Sequence, residues 1–217
     1  MRYIAWAAFY EGPSDRAYFD VLVPRVLDDI LSSKVTRPVE VPTMPAVYIG
    51  KDDSHVEAVA AQICEERDAF HLLIIHADTD GRAAEKDIAH RREAYVEAAH
   101  RRCQWPNDRT VLLSPRHETE AWALADGEAV CRALGYHGEP HELGLPPRAV
   151  DAERIVEPKE RLRDIARSVS WRAYRNGTAT LLPLIAQEQA IERLRGCPSF
   201  QDFESSLTRC LASLGFL

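Results

Sequence analysis

Acidic residues stand directly or shortly after apolar segments at three points in this sequence. They are Glu11, Asp78, Asp80, Glu118 and Glu120. Carboxylates that are crowded together repel one another, and their pKa values rise unless they share a cation. Hard oxygen ligands of this kind suit Mg²⁺ or Mn²⁺. If the fold brings the three segments together, we expect a site for divalent metal ions centred on Glu11, Asp78 and Asp80.

The apolar segments are predicted to be strands of one parallel sheet. Residues 71–77 form a continuous apolar run, which is typical of a strand covered by helices on both faces. Residues 3–10 and 110–113 have the same character. Helical patterns lie between these runs, so we predict an α/β fold with a mainly parallel, Rossmann-like sheet flanked by helices. In such open sheets ligands bind beyond the carboxyl ends of the strands, where the acidic residues would converge.

Helices in the first part of the chain are predicted from apolar spacing and capping residues. One begins near Asp15, and Pro24 is expected to kink it or split it in two. Others are predicted over residues 54–69, with Ser54 as the N-cap, and over residues 83–102 and 119–134. Residues 39–49 are interrupted by prolines, so they could form a short edge strand at most.

The last third of the sequence has a different texture. Three helical stretches occupy residues 158–169, 178–194 and 200–214, with no strand pattern among them. Residues 138–147 are rich in glycine and proline and are predicted to form a loop or linker. We therefore expect an α/β domain over residues 1–137 and a helical C-terminal extension over residues 148–217, packed on that domain.

The charge balance favours some partners over others. A net charge of −7 argues against a protein that coats nucleic acid by charge alone, because that affinity comes from neutralising phosphates. It does not exclude a nucleic-acid enzyme, since bound divalent cations reverse the local field. Residues 151–175 carry seven basic and five acidic side chains. This segment is either a phosphate-facing surface or a solvated helix face with ordinary ion pairs.

The spacing of the cysteines and the lack of long apolar segments indicate where in the cell the protein is located. The five cysteines are widely spaced and contain no CxxC pair, which argues against a disulfide framework and against a zinc site. The first ten residues lack the pattern of a signal peptide, and no apolar run approaches the length needed to span a bilayer. We expect a cytoplasmic protein that does not enter a membrane.

Several short motifs, taken in order, resemble a known family. They are EGPSD after the first predicted strand, DTD after residues 71–77, and then HETEAWALAD, EPKERL and CPSF. In this order they resemble the small Toprim-like domains of unknown function that are related to OLD-type (overcoming lysogenization defect) nucleases. The resemblance covers nearly the whole chain. It implies a Toprim-like fold and a role in phage defence together with an ATPase encoded beside it.

The resemblance also implies roles for individual acidic residues. Glu11 would be the Toprim glutamate, and Asp15 would be the acidic partner four residues further on. Asp78 and Asp80 would be the metal-binding DxD pair. Glu120, in the Glu-Ala-Trp sequence, would be a further acidic residue of the site.

Three more residues enter through the same resemblance. Glu118 is a rival to Glu120 for the last acidic position, and Asp126 is a further candidate. Lys159 resembles a lysine that reaches the scissile phosphate in related nucleases.

Together these residues predict metal-dependent hydrolysis of phosphodiester bonds in nucleic acid, with DNA as the first choice. Asp78 and Asp80 would hold Mg²⁺ or Mn²⁺, Glu11 would act as general base or shared ligand, and Lys159 would stabilise charge on the phosphate. The sequence leaves open whether the protein forms a homo-oligomer.

Two other functions compete with this one. The first is an interaction subunit of an ATPase complex that does little or no catalysis alone. The second is a phosphatase of the haloacid dehalogenase type, with Asp78 as the nucleophile. The second alternative fits less well, because that motif normally follows the first strand and it leaves the Glu11 loop unexplained.

Overall fold

The structure is a computed structural model of the 217-residue chain. It describes residues 2–10, 12–35, 38–49, 56–76 and 85–217, and within residues 85–92 it describes the backbone but not the side chains. Four residues for which the sequence makes predictions lie outside the described residues. They are Glu11, Ser54, Asp78 and Asp80.

The strands are short and pair in parallel. In chain order they are β1 (Arg2–Tyr3), β2 (Trp6–Phe9), β3 (Val39–Glu40), β4 (Val47–Tyr48), β5 (Leu72–His76) and β6 (Thr110–Leu113). Strands β4, β2, β5 and β6 form one sheet in that order, while β1 and β3 form a separate pair. All of these pairings are parallel. The predicted α/β fold with a parallel sheet is therefore confirmed.

Helices make up most of the rest of the described chain. Before β6 they are α1 (Pro13–Lys34), α2 (Val56–Glu66) and α3 (Glu85–Cys103). After β6 they are α4 (Thr119–Leu124), α5 (Gly127–Leu134), α6 (Ala149–Ala152), α7 (Pro158–Val169), α8 (Trp171–Asn176), α9 (Thr178–Glu188), α10 (Ile191–Leu194) and α11 (Pro198–Ser213). Two 3₁₀ turns, Asn107–Arg109 and Pro140–Leu143, lie in the connections. The predicted helical C-terminal region is confirmed.

Side chains of the central strands alternate between two cores, because successive residues of a strand point to opposite faces of the sheet. Leu72 and Ile74 of β5 join the larger core, which is built with α1 and the helices after β6. Leu73 and Ile75 join the smaller core, which is built with α2 and α3. Both faces of the sheet are thus covered, which explains why the sequence of β5 is apolar throughout.

Two helix predictions differ from the structure in detail. Of the two outcomes predicted for Pro24, a kink or a split, the split does not occur, since α1 runs through the proline as one helix of 22 residues. The apolar residues on both sides of the proline, such as Val23 and Val26, are fully buried, so packing outweighs the local cost of the proline. The helix predicted over residues 119–134 is two helices, because Asp126 caps a new helix at Gly127.

One cysteine pair also differs from expectation. Cys64 near the end of α2 and Cys103 at the end of α3 form a disulfide with an S–S distance of 2.10 Å. The other three cysteines are buried and free. The sequence spacing argued against disulfides because it does not show that the last turns of α2 and α3 lie side by side.

The C-terminal helices share the larger core with α1. Gln189, which is fully buried, accepts a hydrogen bond from the Tyr18 hydroxyl at 2.5 Å and donates to the Trp122 carbonyl at 2.7 Å. Arg25 of α1 donates to the carbonyls of Ala186 and Gln189. These bonds tie the end of α9 to α1 and α4. None of the helices in the described part of the chain combines the length and apolar composition needed to cross a membrane.

Candidate functional site

The strand order creates a topological switch point, where an open α/β sheet has its crevice, at the carboxyl ends of β2 and β5. Strands β2 and β5 are neighbours, but the helix that follows β2 lies on one face and the helix that follows β5 lies on the other. Such a switch point is where open α/β sheets bind ligands. In the sequence, Glu11 is two residues after Phe9 at the end of β2, and Asp78 is two residues after His76 at the end of β5.

Three polar side chains from different elements meet at this edge. The Thr119 hydroxyl donates to Oδ1 of Asp15 at 2.7 Å, and the same hydroxyl oxygen lies 3.4 Å from Nε2 of His76. The other carboxylate oxygen of Asp15 lies 3.9 Å from Nδ1 of His76. Asp15 is 7% exposed, whereas Thr119 and His76 are fully buried. A carboxylate, a hydroxyl and an imidazole therefore meet beneath the surface at the carboxyl ends of β2 and β5.

The start of α1 is shaped around Asp15. The helix begins at Pro13, a residue suited to the first helical position, and a carboxylate in the first turn interacts favourably with the helix dipole. Gly12 precedes it, and a Cβ atom at Gly12 would lie only 3.0 Å from Oδ2 of Asp15. Any side chain at position 12 would crowd the Asp15 carboxylate, so the glycine leaves room for it.

Glu120 is the most strongly perturbed acid of the site. It is 3% exposed, and its buried Oε1 has no hydrogen-bond partner among the described residues. Burial, together with the negative charges of Glu118 and Asp15, raises the pKa of Glu120 to about 7, although the positive charge of Lys159 opposes the increase. A cation close to this carboxylate would offset the cost of its ionisation.

Glu118 and Lys159 join the acidic site to helix α7. The backbone N–H of Lys159 donates to Oε2 of Glu118 at 3.3 Å. The first N–H groups of a helix have no acceptor within the helix, and Glu118 supplies one at the start of α7. Both residues line a small cavity of about 270 Å³ together with His117 and Val156. The Glu118 carboxylate thus has a hydrogen-bond partner in the protein, whereas the buried Oε1 of Glu120 has no hydrogen-bond partner among the described residues.

Asp126 has a structural role away from the crevice. Its carboxylate accepts hydrogen bonds from the backbone N–H of Ala129 at 3.2 Å and from that of Ala190 at 3.0 Å. It therefore caps α5 and holds the segment after α9, with both oxygens occupied. This arrangement gives no reason to include Asp126 in the acidic site.

The structure brings together part of the predicted site. Asp15 and Glu120 are within electrostatic range of one another, and Lys159 is within range of Glu120. Within the described residues, His, Cys, Asp and Glu side chains form no group of three or more that could hold a metal ion. Glu11, Asp78 and Asp80, the proposed centre of the site, lie outside these residues.

Sequence reasoning missed His76 and Thr119. His76 ends an apolar run, where a single polar residue is hard to distinguish from a strand position, and Thr119 stands between two more conspicuous glutamates. Their positions in the chain could have identified them as candidates. His76 is the last residue of a buried strand, and Thr119 is the first residue of the helix after β6.

The fold and the crevice define an α/β protein with buried acidic groups at the switch point of a parallel sheet. The chain belongs to the family described as a domain of unknown function (DUF4276), whose model matches residues 10–208. The matched span includes every candidate residue of the site. Comparisons with curated proteins and with solved structures gave no match.

Proposed function

We propose that the chain is a Toprim-like, metal-dependent nuclease that hydrolyses phosphodiester bonds of nucleic acid, with DNA as the first choice. The observation that carries the proposal is the buried pair of carboxylates, Asp15 and Glu120, beside the switch point of the sheet. The unpartnered Oε1 of Glu120 fits a metal ligand, because a cation would supply both the missing contact and the missing positive charge.

The proposed ligands come from three segments of the chain. Asp15 and Glu120 would act together with Glu11, Asp78 and Asp80, which follow the two strands at the switch point in sequence. Bound Mg²⁺ or Mn²⁺ would polarise the phosphate and lower the pKa of an attacking water. Acidic oxygen ligands are the set that these ions prefer.

The chain's own residues would orient and balance this site. Thr119 holds the Asp15 carboxylate through its 2.7 Å hydrogen bond, which fixes one ligand before a metal arrives. Glu11 would accept the proton of the attacking water or serve as a shared ligand. Lys159 would place positive charge beside the phosphate as negative charge develops on it.

The phage-defence role with a partner ATPase is proposed from the sequence resemblance alone. The cytoplasm is proposed separately as the compartment, from the sequence expectation, and there the Cys64–Cys103 pair would be kept largely reduced. The alternative interaction subunit would bind metal yet cut nucleic acid only when that ATPase is added, or not at all.

The test is Mn²⁺-dependent nicking of supercoiled DNA by the purified chain. Wild-type protein should nick the DNA, and Asp15→Asn, Asp78→Asn and Glu120→Gln should each reduce nicking to background because each removes a proposed ligand. Binding of Mn²⁺ itself should weaken in the same variants, as measured by electron paramagnetic resonance of the free ion.

A matched control distinguishes the loss of a proposed metal ligand from the loss of one negative charge elsewhere on the protein. Asp68 has a side chain that is 97% exposed, so Asp68→Asn removes one carboxylate without touching the crevice and should nick as the wild type does. Undiminished nicking by Asp78→Asn and Glu120→Gln together would refute the proposal. Mn²⁺ binding with no nicking by the isolated chain would instead favour the interaction subunit.

A further inference from the structure

One exposed surface of the C-terminal region combines aromatic rings with arginines. It is formed by the outer faces of α7 and α8, and we call it the α7–α8 surface. Its residues are Arg163, Arg167, Trp171, Arg172, Tyr174 and Arg175. No part of the acidic site described above uses these side chains, although α7 begins at that site.

Trp171 stands out among the tryptophans of the chain. It is 62% exposed, whereas Trp6, Trp105 and Trp122 are at most 2% exposed. A large aromatic side chain left in water forgoes a substantial gain from burial, so an exposed one beside a second aromatic ring makes this surface a candidate interaction site. The helix that carries Trp171 begins at a capping residue, since the Ser170 hydroxyl accepts a hydrogen bond from the Ala173 N–H.

The rings and guanidinium groups of this surface lie against one another. The rings of Trp171 and Tyr174 are 5.2 Å apart at their centroids, with 32° between their planes. The guanidinium groups of Arg163 and Arg167 lie 5.5 Å and 5.8 Å from the centre of the Tyr174 ring. Flat groups held side by side in this way provide a platform on which further flat groups can stack.

The surface is positively charged although the whole chain is negative. From residue 158 to residue 176 the sequence has six basic and two acidic side chains, against a net charge of −7 for the chain. Glu160 and Asp164 each form an ion pair with an arginine of α7. Arg172 and Arg175 have no ion-pair partner among the described residues, which leaves their charge for a ligand.

The surface leads away from the acidic site along one helix. Lys159, Arg163 and Arg167 are spaced four residues apart and so lie along one side of α7, over about 12 Å at 1.5 Å per residue. The row begins at the residue whose backbone N–H binds Glu118 and ends beside Tyr174. A chain of phosphates could follow this row from the crevice to the aromatic pair.

We propose that the α7–α8 surface binds single-stranded nucleic acid, with a base stacked on Trp171 and phosphates on the arginines. In a duplex the faces of the bases are already stacked, so an aromatic platform selects unpaired strands. The inference rests on the proposed nuclease function and narrows its substrate to nucleic acid with a single-stranded segment next to the bond that is cut.

The test measures binding of the full chain to labelled oligonucleotides in EDTA, so that no metal chemistry is involved. The probes are oligo(dT), oligo(rU) of equal length and a blunt DNA duplex. At least one single strand should bind more tightly than the duplex, and the better of the two identifies the preferred sugar. Binding should quench tryptophan emission, because Trp171 is the exposed tryptophan.

Substitutions locate the binding surface. Trp171→Ala should weaken binding to the single strand by roughly tenfold or more, since stacking of one base contributes about that much. Trp171→Phe should keep most of the affinity and lose the quenching. Arg172→Glu and Arg175→Glu should each weaken binding and reduce the salt dependence, by about 0.7 in the logarithmic slope for each phosphate that is no longer neutralised.

Arg209→Glu is the matched control, since Arg209 is an exposed arginine of α11 and the variant has the same change in net charge. The proposal is overturned if Trp171→Ala binds the strand as wild type does, if Arg209→Glu weakens binding as much as Arg172→Glu, or if the duplex binds more tightly. It is also overturned if Trp171 emission changes with protein concentration alone, which would identify an interface between copies. Strand binding without cleavage in any metal would leave this inference standing and refute the nuclease function.

Discussion

Glu120 is a carboxylate in surroundings that oppose its charge. Its ordinary pKa of 4.5 is raised to about 7, first by burial and then by the neighbouring acids Glu118 and Asp15. Near neutral pH the residue is therefore divided between a neutral and a charged form. Any cation that binds beside it must displace a proton from part of the population, so metal affinity should increase as pH rises through 7.

The first prediction concerns the stability of the Glu120→Gln variant. Because the folded-state pKa is raised, the folded protein retains a proton that the unfolded chain releases between pH 4.5 and about pH 7. Stability linked to Glu120 is thus fully present below pH 4.5 and is lost as pH rises through 7. In EDTA at pH 8 the variant should be more stable than the wild type by up to about 3 kcal/mol, as measured by urea unfolding.

The same experiment contains its own checks. Mn²⁺ should raise the unfolding midpoint of the wild type at pH 8 and have less effect on Glu120→Gln. Glu97→Gln removes an equal charge from an exposed position on α3, so it should leave the pH dependence as it is in the wild type. A wild type and a Glu120→Gln variant with parallel stability curves from pH 4 to pH 8 would contradict the raised pKa.

At the residue scale, sequence reasoning found acids but not their partners. Asp15 was predicted through the family resemblance, and Glu120 was predicted both through that resemblance and because it follows a predicted strand. Their surroundings were not predictable, since the Thr119 hydroxyl reaches Asp15 across 104 positions of the chain. The roles of Glu11, Asp78 and Asp80 stay predictions, because these residues lie outside the described part of the structure.

At the scale of elements, apolar runs predicted the strands well and helix breaks poorly. The strand Thr110–Leu113 has the predicted bounds, because a buried run between polar ends has few alternatives. Helix ends depend on single side chains with distant partners. Asp126 divides the helix predicted over residues 119–134, because one of its carboxylate oxygens caps α5. Its second oxygen accepts a hydrogen bond from the backbone N–H of Ala190, a contact that sequence spacing does not reveal.

The second prediction concerns the disulfide between α2 and α3. Cys64 and Cys103 are separated by 39 positions, and that closed loop includes β5. Closing a loop of this size restricts the unfolded chain and contributes about 4 kcal/mol in the chain-entropy model. Dithiothreitol should therefore lower the free energy of unfolding of the oxidised protein by roughly that amount, as measured by denaturant titration.

A cysteine-free version of this pair provides the reference. The double variant Cys64→Ala and Cys103→Ala should match the reduced protein within about 2 kcal/mol and should not respond to dithiothreitol. Mass spectrometry of the wild type before and after reduction should show the loss of one disulfide. Equal stability of the oxidised and reduced wild type would mean that the link does not contribute to folding.

At the scale of the whole molecule, the C-terminal helices and the α/β part share one core. The larger core is one cluster of buried side chains in space, and its members come from both ends of the chain, from Ile4 to Phe216. Helix α9 lies along α1. The boundary predicted between residues 137 and 148 followed a change in composition, which marks where strands cease in the sequence. Composition does not show which surfaces those later helices cover, so the extent of their packing on α1 was not predictable.

The third prediction follows from this shared core. Residues 1–137 expressed alone would lack α9, which packs along α1, and would leave the Tyr18 hydroxyl without its bond to Gln189. We expect no cooperative thermal transition for this fragment by circular dichroism, whereas the full chain should unfold in one transition. Co-expression with residues 138–217 should restore it. A fragment that melts cooperatively by itself would show that the helical extension is dispensable for folding.

The outer strand β4 bears on how a second molecule could bind at the sheet. It pairs with β2 over two described residues. A very short outer strand is one means by which proteins prevent unwanted strand addition. A second molecule would therefore find few backbone groups along β4 to pair with, and its docking there would depend on side chains.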